Sequence, residues 1–270
     1  MEHFKSSLDW EVSKVALLGD GILAHSIKED LEFCKTSLSS NPDTPFDFKQ
    51  FSRKLQGLDV TDHATLERLL EPYNVIINCI AHTNTKDNSK SQHWSVNYKF
   101  PVFLADYCRM SKKRLIHVST DYVYAGSNQN ATEEDVCVPF NNWYSLTKLL
   151  SDQYIQLRCP DFLIVRTAHK PSPFPFPKAY TNVIGNFQSS FNANTQLQAL
   201  MMHSMIGVYN IGPKEPMTIY DYATHETIKW GILESIQKEV YFGNEIPFDT
   251  SMSTAKLHDF LKFFDNYERN

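Results

Sequence analysis

Lys14-Val15-Ala16-Leu17-Leu18-Gly19-Asp20-Gly21-Ile22-Leu23-Ala24 is the stretch from which the fold can be read. A short apolar run stopped by Gly19 reads as a buried strand, and a tight turn into a helix is expected after it. The spacing of Gly19, Gly21 and Ala24 matches G-x-G-x-x-A. Glycine there permits the turn and the close approach of a pyrophosphate, whose charge is stabilised by amides at the helix N-terminus. Gly19, Asp20, Gly21, Ile22 and Leu23 are therefore candidate cofactor-binding residues. Taken alone, the motif also fits an ordinary glycine turn between strand and helix; its position directly after a first strand favours the dinucleotide reading.

Outward from this turn the pattern repeats. Phe46-Asp47-Phe48-Lys49-Gln50-Phe51 alternates as a second strand, after a polar, proline-containing stretch over residues 37–45. Thr61 or Asp62 is placed to cap a short helix through Leu70, which Pro72 ends. Val75-Ile76-Ile77-Asn78-Cys79-Ile80 and Leu115-Ile116-His117-Val118-Ser119 read as further strands, with a helix between them carrying Val102, Leu104, Ala105 and Cys108. The spacing over residues 144–157 predicts a helix, and Phe162-Leu163-Ile164-Val165 a strand. Strands of about five residues alternating with helices are the signature of a parallel sheet covered on both faces. The expected fold class is α/β, a Rossmann-like doubly wound parallel sheet with a small C-terminal substrate lobe.

The proline cluster Lys170-Pro171-Ser172-Pro173-Phe174-Pro175-Phe176-Pro177 cannot be regular helix or central strand and suggests a boundary. The division it predicts is a dinucleotide-binding domain over residues 1–170 and a reduced substrate lobe over 171–270, partly packed back on the first. Within the second part, residues 208–211 look like a strand, 219–233 like a helix, and Ser251-Met252-Ser253-Thr254-Ala255-Lys256-Leu257 like a capped helix start. The helical spacing of Phe260, Phe263, Phe264 and Tyr267 suits packing on the body or on a partner subunit.

Composition narrows the function. With 270 residues, 42% hydrophobic and 21% charged, the chain fits one domain with an appended lobe. No apolar run approaches the roughly 18 residues a membrane span needs, and Met1 to Ser7 has no apolar signal core, so a cytoplasmic setting is expected. Five scattered cysteines argue against a disulfide framework, and ten histidines without H-x-x-x-H or H-E-x-x-H spacing argue against a metal site. A net charge of -5 without a basic run gives no footprint for nucleic acid.

The chemistry concentrates at two places. Ser119-Thr120-Asp121-Tyr122-Val123-Tyr124 puts hydroxyls where a buried strand ends, the usual place for substrates in parallel α/β sheets. Further on comes Tyr144-Ser145-Leu146-Thr147-Lys148. Tyrosine and lysine four apart on a helix share a face, so the ammonium can approach the phenol. A phenol near pKa 10 exchanges protons poorly at neutral pH; the adjacent cation is expected to lower it, making Tyr144 a usable general acid or base. An amphipathic helix with an incidental Tyr and Lys is the plainer explanation of the spacing alone, and the upstream Ser-Thr strand end and glycine turn weigh against it. Arg53, beside Ser52 and Lys54 near the second strand's end, stands where a dinucleotide enzyme selects its adenosine ribose. A cation there would pair with a 2′-phosphate, which leans towards NADP over NAD, although a solvated surface turn accounts for it equally well. Asp59 and Val60 follow at a position suited to contacting adenine.

These segments occur in the order seen in extended short-chain dehydrogenases, and the sequence most resembles the dTDP-4-dehydrorhamnose reductase family. The resemblance is carried by Gly19 to Ala24, Leu58 to Asp62, Asn78-Cys79-Ile80-Ala81-His82-Thr83, Val96-Asn97, Ser119 to Tyr124, Tyr144 to Lys148 and Val165-Arg166-Thr167, and more loosely by Ser253 to Leu257. It implies NAD(P)H-dependent reduction of a C4 ketone on a deoxysugar nucleotide, for activated-sugar or glycan biosynthesis. Thr120 would bond the substrate carbonyl, Tyr144 would supply the proton, and Lys148 would hold the nicotinamide ribose while tuning Tyr144. Cys79, Ala81 and His82 would run along the cofactor, with Asn97 as a helper beneath the site, and Asp121, Tyr122 and His169 would face the sugar. No metal is required. The sequence departs from the family where Thr85-Lys86 replaces Val-Asp, where His169 replaces an aromatic residue, and in a glycine turn one residue shorter. Against a dehydratase, Asp121-Tyr122 stands where those enzymes carry Asp-Glu. A nucleotide-sugar epimerase and a non-catalytic NAD(P)-binding regulatory subunit remain open alternatives, as does a homodimer.

Overall fold

The computed structural model describes residues 13–38, 46–85, 89–232 and 235–267. The N-terminal segment, residues 39–45 and Lys86, all read above, lie outside the described residues. In chain order the elements begin with β1 (Lys14–Leu18), α1 (Ile22–Leu38), β2 (Asp47–Phe51), α2 (Arg53–Gln56), α3 (His63–Leu70) and β3 (Val75–Asn78). Next come α4 (Lys90–His93), a π-helical stretch (Trp94–Lys99), α5 (Phe100–Ser111), β4 (Arg114–Thr120), a 3-10 turn (Asp121–Tyr124), α6 (Trp143–Arg158) and β5 (Phe162–Lys170). The remainder comprises β6 (Lys178–Tyr180), β7 (Ile184–Gly185), β8 (Phe187–Ser189), α7 (Ser190–Met202), β9 (Gly207–Ile211), β10 (Met217–Thr218), α8 (Ile219–Lys229), β11 (Gln237–Glu239) and α9 (Ala255–Tyr267).

The central sheet runs β2-β1-β3-β4-β5, with β8 and β9 both paired to β5, and every one of these pairings is parallel. Successive residues of β1 go to opposite faces, as the strand period requires. Val15 and Leu17 join one apolar layer with Leu23, Ile27 and Leu31 of α1, Leu197 and Leu200 of α7 and Leu257 of α9. Ala16 and Leu18 join the other with Leu66 and Leu70 of α3, Phe100, Leu104 and Ala105 of α5 and Ile155 of α6. Both faces are covered, which is why the strands read as continuous apolar runs. Because β2 lies on one side of β1 and β3 on the other, the connections diverge at the carboxyl ends of β1 and β3. That divergence opens a crevice.

Caps fix the helices that carry chemistry. The Asp62 carboxylate accepts from the Thr65 N–H at 3.1 Å, so Asp62 rather than Thr61 caps α3. Asn142 Oδ1 accepts from the Ser145 N–H at 2.9 Å and starts α6 just before Tyr144.

Packing does not divide at residue 170. β9 pairs along β5 from Leu163 to Thr167, and α7 and α9 cover the sheet, so much of the segment after the prolines completes the Rossmann-like body. Sheet burial draws this segment back, since β5 would otherwise present an unpaired edge. What remains as a lobe is β6 with β11, β7 with β10, and α8, around a small core that includes Val183, Phe187, Tyr222 and Tyr241. Phe260 packs on the body while Phe263 is exposed; the side chains of Phe264 and Tyr267 lie outside the described residues. No helix among the described residues is long and apolar enough to cross a membrane.

Candidate active site

A cleft of about 1210 Å³ opens over the carboxyl ends of β1, β3, β4 and β5. That exceeds the roughly 300–1,000 Å³ that suits one small ligand and is ample for a dinucleotide and a second molecule together. Gly19, Asp20, Gly21, Ile22 and Leu23 form one wall, Arg53, Asp59 and Val60 one end, and Cys79, Ala81 and His82 the loop along the floor. Gly19 has φ +117°, and a Cβ there would meet the Cys79 backbone at 3.1 Å, so the turn needs glycine on both counts. A Cβ on Gly21 would meet nothing within 4 Å; it would project into open space where a phosphate can approach. Ser52 caps α2 by accepting from the Leu55 N–H at 3.1 Å, which sets Arg53 at the first turn. Lys54 is turned to Asp20 at 3.8 Å.

Thr120, Tyr144 and Lys148 all line this cleft. Thr120 is the last residue of β4, and its side chain lies beside the Tyr144 phenol. Thr120 Oγ1 also donates to Asp121 Oδ1 at 3.0 Å and accepts from the Tyr122 N–H at 3.3 Å. The Tyr122 ring stands edge-on to Tyr144 at 5.7 Å, walling off one side of the phenol. Burial pushes the Tyr144 phenol up to about 12, with the Thr120 hydrogen bond opposing. This corrects the expected lowering by an adjacent cation. Lys148 Nζ is bonded instead to Val118 O at 2.7 Å and to His117 Nε2 at 2.9 Å, inside the sheet. Burial brings the Lys148 ammonium down to about 8, opposed by the charge of Asp152.

Asn97 does not join the cleft lining. It is buried, with Oδ1 accepting from the His82 N–H at 2.7 Å and Nδ2 donating to His82 O at 3.0 Å. Both ends of its amide are engaged, by the His82 backbone and by His93 Nδ1 at 3.2 Å, so it positions the His82 loop from behind.

On the lobe side the cleft is lined by Asp121, Tyr122, His169 and Lys170. Burial raises the Asp121 carboxyl, while Lys170 and hydrogen bonds from Thr250 and Thr120 oppose the rise. Burial holds His169 down to about 4, a neutral imidazole whose Nδ1 is buried without a hydrogen bond. Lys170, its ammonium 5.0 Å from the Phe187 ring centre, was read only as the start of the proline cluster and not as a site residue; its place immediately after His169 was the available signal. A buried network under β4 was also missed. Asp152 Oδ2 accepts from Ser119 Oγ at 2.8 Å and from Arg166 Nε at 3.1 Å, and the Arg166 guanidinium continues to the Tyr124 hydroxyl. Asp152 lies four residues after Lys148 on α6, on the same face, and that spacing was the clue.

Fold and site together define a Rossmann-like α/β protein whose crevice holds a glycine turn, a strand-end threonine and a tyrosine–lysine pair. Residues 21–170 match the family model described as RmlD substrate binding domain, and the chain belongs to that family. A dTDP-4-dehydrorhamnose reductase of Mycobacterium tuberculosis is 35% identical over 117 residues, covering 41% of this chain and 38% of that protein. The match thus spans well under half of that relative's length. Among solved structures, a dTDP-4-dehydrorhamnose reductase from Clostridium acetobutylicum has the same fold, with TM-score 0.76 and 19% identity, over 95% of this chain and 100% of that one. The Bacillus anthracis dTDP-4-dehydrorhamnose reductase in complex with NADP also shares the fold, with TM-score 0.76, 18% identity and 91% of each chain covered.

Proposed function

We propose that this protein is an NAD(P)H-dependent reductase of a 4-keto-deoxysugar nucleotide, acting in the cytoplasm in activated-sugar biosynthesis. The observation that carries the reading is the meeting of Thr120, Tyr144 and Lys148 in the same cleft as the Gly19–Leu23 turn. The residues fit a dinucleotide: Gly21 leaves open space at the start of α1, and Gly19 is held where no Cβ can stand. Gly19 to Leu23 and the Cys79–His82 loop would hold it, and Arg53 suits a 2′-phosphate, favouring NADP. Bound there, the cofactor would supply a hydride.

The chain's own residues account for the proton. A phenol near 12 is fully protonated at neutral pH, the form that reduction of a ketone consumes. Thr120 orients the substrate carbonyl towards the Tyr144 hydroxyl, and the oxygen that becomes an alkoxide takes the Tyr144 proton. Thr120, beside Tyr144, would then steady the phenolate left behind, and a protonated Lys148 on the same helix face would add charge stabilisation. Asp121, Tyr122 and His169 lie where a sugar would be gripped. The kinship to the mycobacterial relative supports a dTDP-linked sugar as the first substrate to try. The test is NADPH and NADH oxidation across a panel of 4-keto-sugar nucleotides. Turnover of at least one is expected; inactivity on all of them, together with tight cofactor binding, would replace this reading with a non-catalytic one.

A further inference from the structure

The donors and acceptors around Lys148 constrain its charge. Asn78 Oδ1 accepts from the Ile80 N–H at 3.0 Å, which fixes the amide's orientation and leaves Asn78 Nδ2, a donor, facing His117 Nδ1 at 3.1 Å. His117 Nδ1 must then accept. In a neutral imidazole the proton therefore sits on Nε2, and Nε2 faces Lys148 Nζ at 2.9 Å. An ammonium has three donors and no acceptor, so it would confront this N–H with another donor. A neutral amine resolves the conflict, because its lone pair accepts from Nε2–H while one of its own protons goes to Val118 O at 2.7 Å. His117 and Asn78 are fully buried and Lys148 nearly so, which makes an unresolved donor–donor contact costly.

We infer that His117, oriented by Asn78, is a positioning residue that holds Lys148 as a neutral amine in this arrangement and so couples the charge of Lys148 to the Ile80 backbone. Charging Lys148 requires Nε2 to accept. With His117 still neutral, its proton then lies on Nδ1, and the Asn78 amide must turn over to accept it. That turn releases the Ile80 N–H in the loop that runs along the cofactor cleft. One proton is taken up in all, and His117 carries one before and after.

The surrounding groups bear on the balance. Asp152 on α6 has its Oδ1 3.9 Å from His117 Nε2, buried and without a hydrogen bond, an acceptor that also favours a proton on Nε2. Its charge favours a protonated Lys148, and burial opposes it. Cys79, beyond β3, is held up to about 12 and is an uncharged thiol; Tyr144 is an uncharged phenol. Burial, the larger cause, holds His117 well below its usual value, as a neutral ring.

The experiment is long-range ¹H–¹⁵N NMR of ¹⁵N-histidine-labelled protein above the value of about 8 to which burial brings Lys148, where the amine is neutral, with His117 assigned from the spectrum of His117→Gln. It reports the tautomer directly and needs no catalytic activity. The expected result is a neutral His117 protonated on Nε2; an Nδ1–H tautomer or an imidazolium would overturn the inference. In Asn78→Asp, the carboxylate can accept from both Ile80 N–H and His117, so the proton should appear on Nδ1. An unchanged tautomer there would show that Asn78 does not set it. The consequence for catalysis rests on the reductase reading, and kinetics tests it separately. If Lys148 must be charged for turnover, His117→Phe removes the donor that favours the amine and moves the alkaline limb of kcat/KM up by about one pH unit. Were His117 an acceptor for an ammonium, the same variant would move the limb down.

Discussion

Removing the Asp152 carboxylate should cost far more than an average substitution, because the pair it forms is shielded from water at both ends. The Arg166 and Asp152 side chains are 1% and 0% exposed, 3.1 Å apart, and Asp152 also accepts from Ser119. Asp152→Ala leaves the Arg166 guanidinium buried with its charge uncompensated and Ser119 Oγ without its acceptor. Breaking one side of such a pair costs roughly 3–5 kcal/mol. An unfolding entropy of roughly 2.1 cal/mol/K per residue gives about 0.57 kcal/mol/K for this length, hence a fall in Tm of about 5–9 °C. Scanning calorimetry or urea denaturation measures it. A double variant, Asp152→Leu with Arg166→Met, removes both charges and should recover most of the loss, since replacing a buried pair by apolar side chains is often neutral. Asp152 also favours the charged form of Lys148, so Asp152→Ala should move the alkaline limb of turnover to lower pH. A loss below about 1 kcal/mol, or a double variant no more stable than the single one, would refute the reasoning.

Arg53→Ala should weaken NADPH binding about tenfold, the lower range for one charge-assisted hydrogen bond, and leave NADH binding nearly unchanged in a fluorescence titration. Equal losses for both cofactors would remove Arg53 from the 2′-phosphate. His169 should make stability fall with acid. Its value drops from 6.5 to about 4 on folding, so stability present above pH 6.5 is lost as pH falls towards 4, by up to roughly 3 kcal/mol. Denaturation curves at pH 7 and pH 4.5 should therefore lie closer together in His169→Gln than in the parent, and an unchanged gap would show that His169 is not held neutral by the fold.

The parallel body was legible because its strands are buried on both faces: Val75 to Asn78 and Arg114 to Thr120 have no exposed position. α7 was not read from sequence, as its Asn192, Asn194, Thr195, Gln196 and Gln198 blur the apolar face that Leu197 and Leu200 present to the sheet. The proline cluster marked a change of character, yet β9 returns to β5 afterwards, a long-range pairing that no local pattern announces. At the site, every residue proposed from sequence for catalysis, cofactor or substrate lines the cleft except Asn97. Spacing along α6 places Tyr144 and Lys148 on one face, but which neighbour Lys148 bonds depends on His117 from another strand. The same dependence on distant elements hid the Asp152–Arg166 pair.

Tyr144→Phe tests the central claim most directly, with NADPH affinity and single-turnover reduction measured on the same preparation. The account predicts an affinity within a few-fold of the parent and a rate lower by about 100- to 10,000-fold, because the phenol's proton is what reduction consumes. Turnover at the parent rate would contradict it.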